Sequence, residues 1–166
     1  GQQRIWVMNR DGSAMRPLTD LSGNALDPTW SPDSQRIAFA YQASDETGYQ
    51  HRIVEVDGTN MQVLATPLQQ VGGRSDWSPN GQWLAIYAGP PSRHDIYLLS
   101  IDGTELRRLT NSGDNLAPSF SPDSNWIVFT SSRDGDNELY IVRLDGSGLM
   151  QLTKNELSDW QPRWIR

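Results

Sequence analysis

Cysteine is absent from the 166-residue chain, and no run of eighteen apolar residues occurs in it. The first absence excludes a disulfide framework and thiolate metal sites, and the second predicts that no helix is inserted in a membrane. Net positive charge is also lacking: the formal charge of −6 at pH 7 argues against nucleic acid as a partner, because non-specific binding requires a basic face. Seven Trp, fourteen Gly and ten Pro without a long helical pattern predict many short strands joined by tight turns.

One motif recurs four times along the chain. Asp-Gly pairs mark its copies at 11–12, 57–58, 102–103 and 145–146, which are 46, 45 and 43 residues apart. A leucine follows each Asp by seven residues, and an aromatic residue follows each leucine by eleven to thirteen. Because a fixed period of this length is the signature of a repeat architecture, the copies are predicted to share one local structure.

The segments between the Asp-Gly pairs have the composition of strands. Runs such as "RIAFAY", "WLAIYA" and "WIVFTS" are rich in β-branched and aromatic residues, and the Ser-Pro-Asp, Ser-Pro-Asn and Asp-Gly sequences supply turn residues. The predicted strands are A (28–31, 75–78, 118–121, 161–165), B (36–41, 83–88, 126–131), C (4–9, 51–56, 96–101, 139–144) and D (15–19, 61–65, 106–110, 150–153). Four-stranded antiparallel units of this length are blades of a β-propeller.

The sequence of the repeat resembles that of a known family. "LTDLSGNALDPTWSPDSQRIAF" and "IYLLSIDGT" are similar to the TolB-type propeller repeat, a WD-repeat-like blade with Pro-Asp in place of Trp-Asp, and the resemblance covers almost the whole chain. It implies a bacterial envelope protein, periplasmic or extracellular, of a kind that takes part in complexes with peptidoglycan-associated lipoprotein. Residues 42–60 depart from the repeat, because the segment is two residues longer and places His51 and Arg52 where Ile-Trp or Ile-Tyr stands elsewhere. A locally distorted hairpin is expected there.

The strand count predicts an all-β open arc rather than a ring. Strands A, C and D each occur four times but strand B only three times, so 161–165 would lie about two strand spacings from 4–9, roughly twice 4.8 Å and too far for hydrogen bonds. We therefore expect about three and a half blades, the C-terminal portion of a larger propeller. The expected divisions are a blade part at 1–20, blades at 21–66, 67–111 and 112–154, and a closing strand at 155–166. Self-association into an oligomer, or the missing blades, would cover the open edges.

No catalytic residue and no cofactor are expected. Ser31, Ser78 and Ser121 could in principle form a triad with His51 or His94. However, the three serines recur in identical turns, and no G-x-S-x-G elbow is present. Turn chemistry explains them, so the chain is predicted not to be an enzyme.

No metal ligand is assigned either, although one loop leaves two interpretations open. Residues 132–138 contain Asp134, Asp136, Asn137 and Glu138, and oxygen ligands at this density can hold calcium. The spacing of an EF-hand loop is incomplete, and a polar hairpin loop explains the composition equally well.

The tryptophans divide by their position in the repeat. One position of strand A is aromatic in every copy: Trp30, Trp77, Phe120 and Trp164. We predict that it lies in the core between blades. Trp83 and Trp126 begin strand B, where the first copy has Arg36, so they either pack half-buried or belong to a surface that binds sugar or protein.

The candidate binding residues lie just before or early in strand A, where inner strands of a propeller approach its axial mouth. These positions differ from copy to copy while their neighbours keep the register. The partner-binding candidates are Asp27, Thr29, Arg74, Asp76, Ser119, Gln161 and Arg163. Their charged members offer charge-assisted hydrogen bonds, and the alternative is that they are solvated loop residues.

The leading functional hypothesis is therefore a non-catalytic module that binds a protein or peptide. Two alternatives remain: an accessory or gating domain of a hydrolase or lyase, since such enzymes carry related blades, and an excised repeat segment that self-assembles. Fold does not dictate function, so the choice depends on the site.

Overall fold

A computed structural model describes residues 1–165 of the chain. Its strands are β1 (Trp6–Val7), β2 (Arg16–Pro17), β3 (Asn24–Trp30), β4 (Arg36–Gln42), β5 (Gln50–Glu55), β6 (Gln62–Leu64), β7 (Asp76–Trp77), β8 (Trp83–Ala88), β9 (Asp95–Ser100), β10 (Leu106–Arg108), β11 (Asn115–Phe120), β12 (Trp126–Ser131), β13 (Glu138–Arg143) and β14 (Met150–Gln151). Residues 1–165 contain no helix, and hence none that could cross a membrane. The predicted all-β class is confirmed.

The strands pair with their neighbours along the chain into three four-stranded antiparallel sheets and one two-stranded sheet. We number them in chain order: sheet 1 (β1-β2), sheet 2 (β3-β4-β5-β6), sheet 3 (β7-β8-β9-β10) and sheet 4 (β11-β12-β13-β14). Sheet 1 contains only the two outer strands of a blade, and the sheets form an unclosed arc. The predicted arc of about three and a half blades is therefore confirmed.

Each turn between the first two strands of a blade is held by one serine hydroxyl. Ser31 Oγ donates a hydrogen bond to Asp33 Oδ1 (2.5 Å) and accepts one from the backbone N–H of Arg36 (2.9 Å). The same pair of bonds joins Ser78 to Asn80 and Trp83, and Ser121 to Asp123 and Trp126. The bond from Ser31 is the main reason that the pKa of Asp33 lies below its ordinary value. All three Ser-Pro serines are thus engaged in turns.

The Asp-Gly hairpins close by a similar device on the outer side of each blade. Asp102 Oδ1 accepts hydrogen bonds from the Ser100 hydroxyl (2.6 Å) and from the backbone N–H of Thr104 (3.0 Å), and these bonds lower its pKa to about 2. Gly103 has a φ of 73°, a conformation that a residue without Cβ adopts at no steric cost. Asp102 therefore holds the turn while its carboxyl group is ionised.

Apolar side chains fill the spaces between adjacent sheets. Trp77 is fully buried between sheets 2 and 3, and Phe120 is 2% exposed between sheets 3 and 4. The predicted core role of this aromatic position is confirmed for both. Trp30 and Trp164 occupy the same position but are 48% and 40% exposed, so the predicted core role is wrong for them. Sheet 1, which packs against sheet 2, has only the two outer strands of a blade and so leaves Trp30 uncovered.

Two further local predictions are wrong. The structure assigns no strand to 155–165, where a closing strand was expected, because the second strand that would pair with it is not among the described residues. The segment is instead held by isolated bonds, such as the one that the Gln161 N–H donates to Thr130 Oγ1 (3.0 Å). The distorted hairpin expected within 42–60 is also absent, since β4 and β5 pair without a register shift and the additional residues form the loop 43–49.

Candidate binding site at the inner strands

The inner strands of the arc converge on a cavity of about 410 Å³, within the range of roughly 300–1,000 Å³ that small-ligand pockets occupy. We call it the axial cavity. Its lining includes Asp27, Arg74, Tyr87, Trp160, Gln161 and Arg163. A smaller cavity of about 240 Å³ adjoins it at Arg163 and is lined by Thr29, Asp76 and Ser119. The structure thus brings all seven sequence-predicted residues to two neighbouring cavities.

Backbone bulges explain why these particular residues face the axial cavity. The pairing of β3 shifts register between Leu26 and Thr29, and Asp27 at the bulge has a φ of 49°. The equivalent residues Ala117 and Gln161 have a φ of 51°. Each of the three precedes a proline, which has no N–H to give to a ladder and is tolerated at bulges. The Xaa-Pro pair therefore interrupts the sheet and leaves its first residue at the cavity.

The second copy of this segment is built differently. It reads Gly72-Gly73-Arg74-Ser75, without the proline. A Cβ at Gly72 would lie 2.0 Å from the ring of Tyr87, and one at Gly73 would lie 2.8 Å from Asp27 Oδ2. Both glycines are therefore needed for the close approach of these side chains to the backbone. Burial raises the pKa of Tyr87, and the charge of Asp27 raises it further.

Asp76 and Ser119 form hydrogen bonds between neighbouring sheets beside the cavity. Asp76 Oδ2 accepts hydrogen bonds from the Phe120 N–H (2.7 Å) and the Ser119 hydroxyl (3.1 Å), and Oδ1 accepts one from Arg163 Nη1 (2.8 Å). Asp76 is 5% exposed and Ser119 is 2% exposed. Their side chains join sheets 3 and 4 to the C-terminal segment, so the accessible candidates are Asp27, Thr29, Arg74, Gln161 and Arg163.

Arg74 is a candidate with unused hydrogen-bonding capacity. Its guanidinium is half-buried at the cavity wall and makes no hydrogen bond or ion pair with any other residue in 1–165. Burial lowers its pKa from the ordinary value, as does the nearby charge of Arg163, while Asp27 and Asp76 oppose the shift. A half-buried guanidinium with no partner among the described residues is disposed to bind an acceptor from a ligand.

Sequence reasoning missed two aromatic residues of the axial cavity, Tyr87 and Trp160. Tyr87 occupies the position that Ala40 and Thr130 hold in the other copies, and Trp160 occupies the position of Leu26. Variation between copies was therefore a usable signal at both places. The predicted candidates, however, lie only just before or early in strand A.

The other candidate chemistry has local explanations. His51 Nε2 is bonded to the carbonyl of Gly73 (3.2 Å), and His94 Nδ1 to Asp114 (2.6 Å), so each histidine has a partner other than a Ser-Pro serine. Trp83 and Trp126 lie beneath the guanidinium groups of Arg107 (4.6 Å) and Arg143 (4.8 Å), respectively. Such cation–π packing favours the half-buried structural role for both tryptophans.

Hydrogen bonds to residues 151–155 hold the loop 132–138 in place. Asp134 accepts one from Gln151 Nε2 (2.6 Å), and Glu138 accepts bonds from the Thr153 hydroxyl and the Asn155 N–H. In the described part of the chain, no three His, Asp or Glu residues are grouped with metal-binding geometry. The polar-hairpin interpretation is consistent with these contacts.

Together the unclosed arc of four-stranded blades and the cavity at their inner strands define a β-propeller module. The model of the TolB beta propeller domain matches residues 35–166, and the chain belongs to that family.

Similarity to individual proteins agrees with this assignment. A TolB homolog from Chlorobium luteolum is 32% identical over 121 residues, which are 72% of this chain and 27% of that protein. The crystal structure of TolB from Acinetobacter baumannii superposes with a TM-score of 0.79 at 19% identity, over 95% of this chain and 39% of that one. An oligogalacturonate lyase in complex with manganese superposes with a TM-score of 0.73 at 17% identity, over 93% of this chain and 43% of that one. This chain therefore spans less than half the length of each of the three proteins, and it shares the fold of the two solved structures.

Proposed function

We propose that this chain is a non-catalytic binding module, a portion of a larger TolB-like propeller, whose axial cavity recognises a protein or peptide. One observation carries the proposal: the cavity is lined by residues that the repeated framework does not need. They include Arg74, whose guanidinium bonds to no other residue in 1–165. Exposed Trp160 beside it adds the aromatic surface that is enriched in protein interfaces.

The setting follows from the family. A TolB-type propeller belongs to the bacterial envelope, so we infer a periplasmic or extracellular location and a protein partner there. The exposed Trp30 and Trp164, which line one small cavity, support coverage by further blades or by a second copy.

A pull-down with the complete propeller tests the proposal. The variant Asp27→Asn, Arg74→Gln and Gln161→Ala changes three accessible cavity residues and leaves the buried Asp76 in place. The matched control is Arg10→Gln, the same change at an exposed residue of the first Asp-Gly turn. We expect a partner that is retained by the unchanged protein and the control and lost by the triple variant. Equal recovery by all three would remove the axial cavity from the proposal.

An accessory or gating role beside a hydrolase or lyase is the second candidate, and the likeness in fold to oligogalacturonate lyase favours it. His51 is buried and bonded to Gly73, so it does not line the axial cavity. Incubation of the complete protein with oligogalacturonate and manganese distinguishes the candidates, because formation of unsaturated product would establish lyase activity. A chain that only self-assembles would give neither product nor partner.

A further inference from the structure

The departures from the repeat are concentrated where sheet 2 meets sheet 3. The long loop 43–49 lies against 70–73, and the Tyr49 N–H donates a hydrogen bond to the carbonyl of Val71 (3.0 Å). The segment 70–73 also bonds to sheet 3, because the Gly72 N–H donates to the carbonyl of Tyr87 (2.8 Å). Irregular residues of two blades therefore support one another.

His51 is the most deeply buried of these irregular residues. Its position is aliphatic in the other copies: Ile5, Ile96 and Leu139. The side chain is 1% exposed, and its Nε2 lies 3.2 Å from the carbonyl oxygen of Gly73. Because a carbonyl can only accept, Nε2 carries the proton and donates. Burial lowers the pKa of His51 to about 4, so the ring is neutral at pH 7.

The backbone held in this way carries Arg74. Gly73, which accepts the bond from His51, directly precedes Arg74, and the two glycines at 72–73 fit against Tyr87 and Asp27. The three irregular features therefore converge on a single guanidinium at the cavity wall. Precise placement of a binding group depends on such supporting contacts.

We infer that Arg74 anchors a carboxylate of the bound peptide, from an Asp or Glu side chain or from the chain end, and that His51 is its positioning residue. This inference rests on the proposed peptide-binding function. A guanidinium holds a carboxylate through two parallel N–H bonds. Arg163, fixed by Asp76 at 2.8 Å, adds positive charge to the same cavity.

Asp27 makes the site selective for a peptide rather than for a simple anion. It lines the axial cavity, and its charge acts on Arg74 from beyond salt-bridge distance. Its carboxylate can therefore accept an N–H from the ligand while Arg74 holds a carboxylate. A peptide amide close to an acidic group offers both.

Selection from a random-peptide display library on the full chain, followed by calorimetry, tests the anchor. We expect the enriched peptides to share one acidic residue or a free C-terminus. Arg74→Gln should weaken binding of such a peptide about tenfold to hundredfold, as is typical when a hydrogen bond to a charged group is lost. The same peptide with its carboxylate converted to an amide should bind the unchanged chain weakly and be indifferent to Arg74→Gln. Arg10→Gln should bind both forms like the unchanged chain.

His51→Leu and His51→Gln test the positioning role. The first inserts the aliphatic type found in the other copies, and the second retains an N–H donor. His51→Leu should reduce the preference for the carboxylate peptide over its amide form, and His51→Gln should restore part of it. A purely structural role would instead change the affinity for both peptides equally, which would overturn the assignment of His51.

The possible failures are distinguishable. If no peptide is enriched, the proposed function fails and the inference falls with it. If neutral or basic peptides are enriched and bind Arg74→Gln as well as the unchanged chain, the anchor is refuted while peptide binding stands.

Discussion

The joint between two complete sheets and the edge of the incomplete first blade show the same aromatic position in opposite environments. Trp77 at the joint of sheets 2 and 3 is fully buried, whereas Trp30 and Trp164, which line one small cavity, are 48% and 40% exposed. Trp30 and Trp77 are both followed by Ser-Pro, so the local sequence does not account for the difference between them. A complete neighbouring sheet does, because a propeller blade buries its apolar face only against the next blade, and sheet 1, which packs against sheet 2, has only two strands.

The largest expected effect is at the joint. Trp77→Ala should lower the free energy of unfolding by about 3–5 kcal/mol, and Trp30→Ala by less than about 1 kcal/mol, since Trp30 has much less surface to lose from contact. Urea denaturation of both variants measures the difference. Trp77→Phe, which installs the residue type found at Phe120, is the milder variant if the alanine does not fold. Equal losses at Trp77 and Trp30 would contradict the comparison.

His51 extends the comparison to pH, since it is buried at the joint of sheets 2 and 3. Its pKa is lowered to about 4 in the folded chain from about 6.5 in an unfolded one. The unfolded state therefore binds the proton first, and stability falls as the pH drops from 6.5 towards 4, by about 3 kcal/mol in all. Denaturation at several pH values should show this fall in the free energy of unfolding, and His51→Leu should remove the part of it that comes from His51. An unchanged slope in His51→Leu would refute the attribution.

Asp76 and Asp27 compare a framework carboxylate with one at the cavity. Asp76→Ala should lower the free energy of unfolding by about 1–3 kcal/mol, because it leaves the buried N–H of Phe120 without an acceptor. Asp27→Ala should change it by no more than about 0.5 kcal/mol. Thermal or urea denaturation measures both, and a larger loss at Asp27 than at Asp76 would reverse the two roles.

The smallest expected effect on folding stability is at the exposed pair Trp30 and Trp164, where the readout is association. Light scattering after size-exclusion chromatography at micromolar concentration should show the unchanged chain as a dimer or larger species. Trp30→Gln with Trp164→Gln should shift it towards the monomer with little change in unfolding. A stable monomer of the unchanged chain would count against self-association and leave the missing blades as the cover.

Much of the fold was predictable because the repeat records it. The Ser-Pro turns and the aromatic core position were assigned from spacing, and the structure confirms them at Ser31 and at Trp77. The strand at 161–165 was predicted from the same spacing and is not formed. A strand requires a paired neighbour as well as a suitable sequence. The spacing of the repeat shows only that the sequence is suitable.

The candidate site was predictable in location but not in detail. Variation between copies identified Arg74 and Asp27, which line the axial cavity. It equally identified Asp76, whose carboxylate already accepts hydrogen bonds from Phe120 in sheet 4 and from Arg163. Repeat alignment shows which side chains are free of the common packing, but not which of them find a partner across a joint.

By itself, the sequence determined the blade. The period, the turn residues and the alternating β-rich runs act within about 45 residues, where local hydrogen bonds and steric limits decide the outcome. Only the tertiary structure decided which identical positions are buried, that His51 reaches Gly73, and that Arg74 remains without a partner among residues 1–165. Those outcomes depend on contacts between different blades, and no spacing within one blade encodes them.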